Sequence, residues 1–389
     1  EGAHAAEGAF YVWALSDVER VLGPEAAFVA DHFGMRPEGN VPRPRDPRGE
    51  FSGRNILAQA RPLGDTAKRR EMAPQAASDL LASCLARLLA ARSQRPRPHL
   101  DDKVVAGWNG LMISALARAA VVPAQSLGDR RAAYLAAALR AAGFVERELL
   151  DLPGGLPRRS WRRGAASGAG FAEDCAFLVQ AWLDLYEATF DTGWLGRAER
   201  LQGAMDREFW DGANGGYFNS AAGAADVVLR LKEDYDGAEP AATSVAAMNL
   251  LRLSSLTGDG ALRERGRRAI AAFRGRWEEA PHAMPQLLCA FESALEPPRH
   301  VVITGDPGSR EFGALSSVLH ERLGPRRALV ALDAPGARAW FSARSPWLAG
   351  MGAGETGPAA YVCEEFACRA PARIPEDLRR ELGHPAEAG

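Results

Sequence analysis

Phe171–Phe190 reads FAEDCAFLVQAWLDLYEATF, apolar on nearly every side of a helical wheel, as a helix buried all round requires. Two more stretches of this kind lie downstream, AATSVAAMNLLRLSSLTG, which follows Pro240 and stops at Gly258, and PQLLCAFESAL from Pro285 to Leu295. Upstream, Val104, Trp108, Leu111, Met112, Ala115, Leu116 and Ala119 recur at helical spacing and predict one apolar face. Between these segments run Arg-rich amphipathic helices, near 75–92, 130–150, 194–209 and 260–277, and a weaker helical stretch covers 16–33.

The first three apolar helices begin near 104, 172 and 241, roughly 68 residues apart. Gly-led turns entering short strands, GAFYVW (8–13), GGLPRR (154–159) and GGYFNS (215–220), recur between them. Alternating inner and outer helices predict a mainly α fold, an α/α toroid whose inner-helix N-termini share one rim with the loops. After Pro297 the pattern changes. HVVITGDP, a helical stretch near 309–322, RRALVALD and the single strand AAYVCEEFAC predict a small α/β appendage. The expected domains are 1–296, toroid, and 297–389, appendage. TGDPG lacks a phosphate-cradling pattern and reads as an ordinary βα turn.

The 389 residues carry 47 basic and 49 acidic side chains, a net charge of −2. That balance removes the electrostatic case for nucleic acid or an anionic membrane, and no apolar run reaches the about 18 residues a bilayer requires. The basic residues are nearly all arginine, the lysines being Lys68, Lys103 and Lys232. Five cysteines without a CxxC pair fit a reduced, cytoplasmic setting. No cofactor motif and no metal-ligand spacing is present. Cys363 and Cys368 alone are a weak case for zinc and equally fit two half-buried thiols.

Candidate chemistry gathers where the inner helices begin. PHLDDKVVAGWNGL (98–111) supplies His99, Asp101, Asp102, Lys103, Trp108 and Asn109; FAED supplies Glu173 and Asp174; LKEDYDGAEP (231–240) supplies Lys232, Asp234, Asp236 and Glu239. Acids at a helix start also serve as caps. Opposed carboxylates on one rim are what glycosyl transfer or hydrolysis requires, one protonating a leaving oxygen and the other activating water or attacking. We expect Asp102, Asp174 and Glu239 to be the acid/base groups. Lys103, Lys232 and Asn109 then orient a saccharide, and Trp108, Tyr235 and Trp161 stack on it. An epimerase would instead use His99 and His282 as acid and base.

The stretches EGAFYVW, GRNIL (53–57), RPHLDDKVVAGWNGLMISALARA, GFAEDCAFLVQAWLDLYEATFD, FWDGANGGYF, KEDYDGAEPAATSVAAMNLLRL and YVCEEFACRAP resemble the thioredoxin-domain-containing proteins related to spermatogenesis-associated protein 20. The resemblance runs from about residue 7 to 371. It implies a thioredoxin-like domain followed by an (α/α)6 toroid of the six-hairpin glycosidase-like type, also seen in sugar 2-epimerases. No thioredoxin-like segment is recognisable here, and four clear inner helices stand where six are expected, so the toroid is expected to be incomplete on its N-terminal side. The motif positions carried over are His99, Asp101, Asp102, Lys103, Trp108, Asn109, Glu173, Asp174, Lys232, Asp236 and Glu239. Two functions follow. One is a carbohydrate-active toroid acting on a small saccharide by hydrolysis or epimerisation. The other is a non-catalytic scaffold binding a partner for the linked thioredoxin-like domain.

Overall fold

A computed structural model describes residues 8–122, 128, 130–150, 155–322, 324, 326–352, 357–365 and 367–383. Glu7, Gly154 and Phe366, which belong to the motifs above, lie outside the described residues. The chain forms two compact units, Glu1–Asp101 and Asp102–Gly389. The expected boundary at 296/297 marks a change from helices to mixed strands and helices; the α/β sheet itself shares the second unit with the helices before it.

The first unit contains α1 (Leu15–Leu22), α2 (Ala26–Phe33), α3 (Leu63–Arg69) and α4 (Pro74–Ser93) around Trp13, Val18, Leu22, Phe28, Val29, Cys84 and Leu88. Buried Asn55 from GRNIL staples this unit. Its amide bonds the backbone of Arg36 on both sides, at 2.8 and 2.9 Å, and Asn55 forms a β-bridge with Trp13.

The second unit opens with β1 (Val104–Val105), α5 (Ala106–Val121) and α6 (Arg130–Glu148), then the hairpin β2 (Arg158–Arg162) and β3 (Ala165–Ala169). Next come α7 (Ala172–Thr189), α8 (Thr192–Phe209), α9 (Ala242–Thr257), α10 (Gly260–Ala271), α11 (Arg274–Glu279) and α12 (Pro285–Leu295). Helices α5, α7, α9 and α12 pack side by side in chain order, while α6, α8 and α10 each pack on the inner helix before them. This is the inner-and-outer arrangement of an α/α toroid, and the fold is mainly α as expected. Helix α7 is buried nearly throughout, and α9 stops at Gly258 in the left-handed region. Buried Asp184 of α7 ties three inner helices together, accepting from Ser114 at 2.5 Å and pairing with Arg118 and Arg252, each at 2.8 Å.

Two expectations are corrected here. Helix α5 does not bury the apolar face expected of it: Trp108 and Met112 are exposed, and the buried stripe is Ala106, Gly107, Gly110, Ile113, Ser114, Ala117 and Ala120. Small residues win because α5 lies almost on the α7 backbone; a Cβ on Gly110 would sit 2.7 Å from the Phe177 carbonyl carbon. The turns 8–13 and 215–220 form only single bridges, Trp13–Asn55 and Trp210–Tyr217, whereas 158–162 is a true strand.

After α12 come β4 (Arg299–Thr304), α13 (Arg310–Leu319), β5 (Arg327–Ala331), α14 (Ala337–Ser342), β6 (Ala359–Glu364), β7 (Ala367–Cys368) and α15 (Pro375–Glu381). The sheet order is β5-β4-β6-β7, with β4 parallel to β5 and antiparallel to β6. AAYVCEEFAC is therefore a hairpin rather than one strand. Its register sets Cys363 opposite Cys368 with their Cα atoms 3.9 Å apart, and the pair is a disulfide rather than two thiols. Cys84, Cys175 and Cys289 are free. Among the described residues no helix is long and apolar enough to cross a membrane.

Candidate functional site

The carboxylates ahead of the inner helices divide into two kinds. Asp174, at the third position of α7, is 0% exposed. Its Oδ1 accepts from Gly107 N at 2.7 Å and from Arg159 at 2.9 Å, and its Oδ2 accepts from Phe171 N at 2.9 Å. Burial pushes its pKa up, opposed by the two backbone N–H groups and by Arg159. It caps α7 and clamps α5 onto it. The acid/base role expected of Asp174 therefore fails on access, since no substrate reaches it.

Asp236 is spent in the same way. Its Oδ1 accepts from Ala241 N at 2.8 Å, at the start of α9, and its Oδ2 from Gln286 and Leu287 N at 2.9 and 3.2 Å, at the start of α12. Lys232 turns away from the rim to bond Asp211 at 2.7 Å and the Gly215 carbonyl at 2.6 Å. The hydrogen bond from Lys232 holds the Asp211 carboxyl far below its usual range. The DGANGG turn is thus organised by Lys232 and by the backbone N–H groups of Ala213 and Asn214. Asn109 donates to the carbonyl of Val105, the residue just before its own helix, at 2.9 Å. Lys232, Asp236 and Asn109, expected to meet substrate, all support backbone instead. Trp161 is half-buried edge-on against Phe144, which removes it as a stacking platform.

The second kind faces outward. Glu173 takes Arg159 at 2.5 Å, and Arg159 in turn lies over the Phe171 ring. Glu239 accepts from the indole N–H of Trp108 at 2.6 Å, fixing a ring that remains 55% exposed. Arg159, Phe171, Glu173, Asn219, Ser220 and Ala242 line a cavity of about 240 Å³. Asn219 organises its wall: its backbone carbonyl accepts from Ala172 N at 3.0 Å, its N–H donates to the Leu231 carbonyl at 2.8 Å, and its side chain accepts from Glu233 N at 3.3 Å.

Glu233, which the sequence reading passed over, is bonded through its backbone to Asn219 of this wall and has its carboxyl pKa raised by its surroundings. Partial burial, then the charges of Glu173, Asp236, Glu239 and Asp234, push its pKa up. Alternation along an extended segment was the available signal. Once Lys232 turns inward, its neighbour Glu233 takes the opposite side.

Asp102 is exposed and bonded to Arg162, which holds its carboxyl below the usual range. Lys103 is exposed at the start of the second unit, and His99 and Asp101 are exposed in the first. His282, the other expected epimerase base, is exposed in a short 3-10 turn. Among the described residues no group of three or more His, Cys, Asp or Glu is placed to hold a metal.

No protein-family model matches the chain. The chain is similar to the GH76 alpha-mannanase of Bacteroides thetaiotaomicron, at 15% identity and a TM-score of 0.41, over 58% of this chain and 59% of that one. It is similar to the cellobiose 2-epimerase of Spirochaeta thermophila, at 19% identity and a TM-score of 0.35, over 44% and 43%. Overlaps this partial leave the chemistry of the mouth to be argued from its own residues. In sequence, the chain is 37% identical over 404 residues to human spermatogenesis-associated protein 20, covering 99% of this chain and 50% of that protein. The chain spans about half the length of the curated relatives it matches, and over that half it is a homologue of spermatogenesis-associated protein 20.

Proposed function

We propose that the mouth formed by the start of α7 and the loop ahead of α9 binds a small saccharide or sugar derivative and performs acid/base chemistry on it, by hydrolysis or epimerisation. The observation that carries this reading is Glu233. Its backbone N–H is bonded to Asn219 of the cavity wall, and desolvation together with four surrounding carboxylates raises its carboxyl pKa; one of those carboxylates, Glu239, holds the exposed Trp108 ring. Environments that drive carboxyl groups apart in pKa separate an acid from a base. Glu233 serves in this reading as the proton donor, with Glu239 or Glu173 as base or nucleophile. Trp108 offers an apolar face to a sugar ring, and Arg159 and Asn219 supply hydrogen bonds to hydroxyls. Asp102 and Lys103 lie at the start of the same unit and serve as outer contacts.

The test is a thermal-shift screen of mono- and disaccharides, sugar phosphates and uronic acids, followed by product analysis with the ligand that stabilises the protein. Glu233→Gln is expected to retain ligand binding and lose turnover by at least about 100-fold, the scale of a general acid. Undiminished turnover in that variant removes the acid/base role.

A second reading, a scaffold that binds a partner protein, has its own supporting observation. Val228, Leu229 and Leu231 are strongly exposed in the irregular segment leading to Glu233, an apolar run that suits a protein contact. Replacing all three with serine separates the readings: a scaffold loses its partner, whereas saccharide binding persists.

A further inference from the structure

One end of the four-stranded sheet concentrates arginine. Arg299 opens β4 and Arg327 opens β5, and the parallel register pairs these two residues. Paired side chains leave a sheet on the same face, so two guanidinium groups stand side by side, which is unfavourable without counter-charge. Arg299 finds that charge in Glu364, at 2.7 Å, and Arg326 finds it in Glu296. Among the described residues, no carboxylate lies within ion-pair distance of Arg322 or Arg327.

Arg327 is half-buried, and its guanidinium touches Gly324 so closely that a Cβ there would sit 2.9 Å from Cζ. Burial works against its charge; Glu187, the carboxylate that favours it, is itself bonded to Arg252 at 2.7 Å. The four arginines line an open cleft of about 590 Å³ with Glu296, Glu364 and Glu365 on its walls.

We propose that this cleft binds a small phosphorylated metabolite, with the phosphate received between Arg322 and Arg327. Two guanidinium groups without an ion-pair partner match the charge of a phosphate monoester, about −1.5 to −2 near neutral pH; Arg327 spends one Nη2 donor on the Arg322 carbonyl at 3.5 Å and keeps the rest of its fork. A lone carboxylate neutralises only one of the two guanidinium groups. The glutamates on the walls repel an extended polyanion, so the fit is to a small molecule and not to nucleic acid. No residue of the proposed saccharide mouth takes part, and the two proposals stand or fall separately.

Isothermal titration calorimetry at constant ionic strength, with inorganic phosphate, glucose 6-phosphate and glucose as probes, tests this on the whole chain. Saturable binding of both phosphates is expected, with affinity falling at least ten-fold in Arg327→Gln and in Arg322→Gln. Arg322 is exposed, so its variant keeps the fold, as a thermal melt verifies. No saturable phosphate binding, or binding unchanged in both arginine variants, overturns the proposal. Phosphate binding lost in Glu233→Gln and kept in the arginine variants also overturns it, by moving the ligand to the saccharide mouth.

Discussion

The first turn of α7 and the loop before α9 both carry runs of carboxylates, and they use them differently. In α7 the buried acid, Asp174, meets two backbone N–H groups and an arginine, and its negative charge is fully answered. In the loop, Asp236 does similar work for two helix starts, but Glu239 meets only the Trp108 indole and Glu233 stands among other acids. A helix N-terminus consumes carboxylates within its reach because its first N–H groups have no partner inside the helix. An acid whose side chain turns away from those groups, such as Glu173 in the first turn of α7 or Glu239 before α9, is left with other side chains, water and whatever binds. Availability for chemistry therefore follows from which way the side chain points relative to unsatisfied N–H groups, not from the density of acids in the sequence.

The sharpest way to break this comparison is Asp174→Ala. Removing it strands the buried Gly107 N–H, the part-buried Phe171 N–H and part of the Arg159 charge, and should destabilise the second unit by about 3–5 kcal/mol in urea unfolding. Glu173→Ala, one residue away, should cost no more than about 1 kcal/mol, since its pair with Arg159 is partly exposed. Equal losses for the two would dissolve the distinction drawn between them.

Asp236→Ala comes next, at about 2 kcal/mol, as two helix starts lose a cap worth about 1 kcal/mol each. Hydrogen exchange should then quicken at the first turns of both α9 and α12; quickening at α9 alone would show that the second cap contributes nothing.

The smallest stability effect belongs to Glu233→Gln, and its sign is opposite. Folding raises this carboxyl above its ordinary value of 4.5. Its contribution to stability is full below about pH 4.5 and is lost as pH rises through the raised value. The variant does not ionise, so it should match wild type at low pH and become slightly more stable than wild type toward neutrality. A variant less stable at pH 7 than wild type would mean that Glu233 makes a favourable ionised contact, and would remove it as the proton donor.

Much of the helical layout was legible in advance. Pro240 with Gly258, the run at 285–295, and the wholly apolar 171–190 each specify a helix by local chemistry, and the structure places helices there. The face of α5 was not legible. Trp108 and Met112 look like core by hydrophobicity, yet close approach of two helix backbones admits only the glycine and alanine side. The C-x4-C spacing of Cys363 and Cys368 fits a hairpin pair and a single strand equally; the β6–β7 register selects the pair.

Local sequence by itself determined where the inner helices run and that carboxylates gather at their starts. These follow from periodicity and capping, which act over a few residues. Only the tertiary structure decided which carboxylates are spent on N–H groups from other helices and which remain in the mouth. It also decided that Arg299 and Arg327 stand side by side. Both outcomes depend on groups far apart in the chain, such as Gly107 with Asp174 and Trp108 with Glu239, and no short-range pattern encodes that proximity.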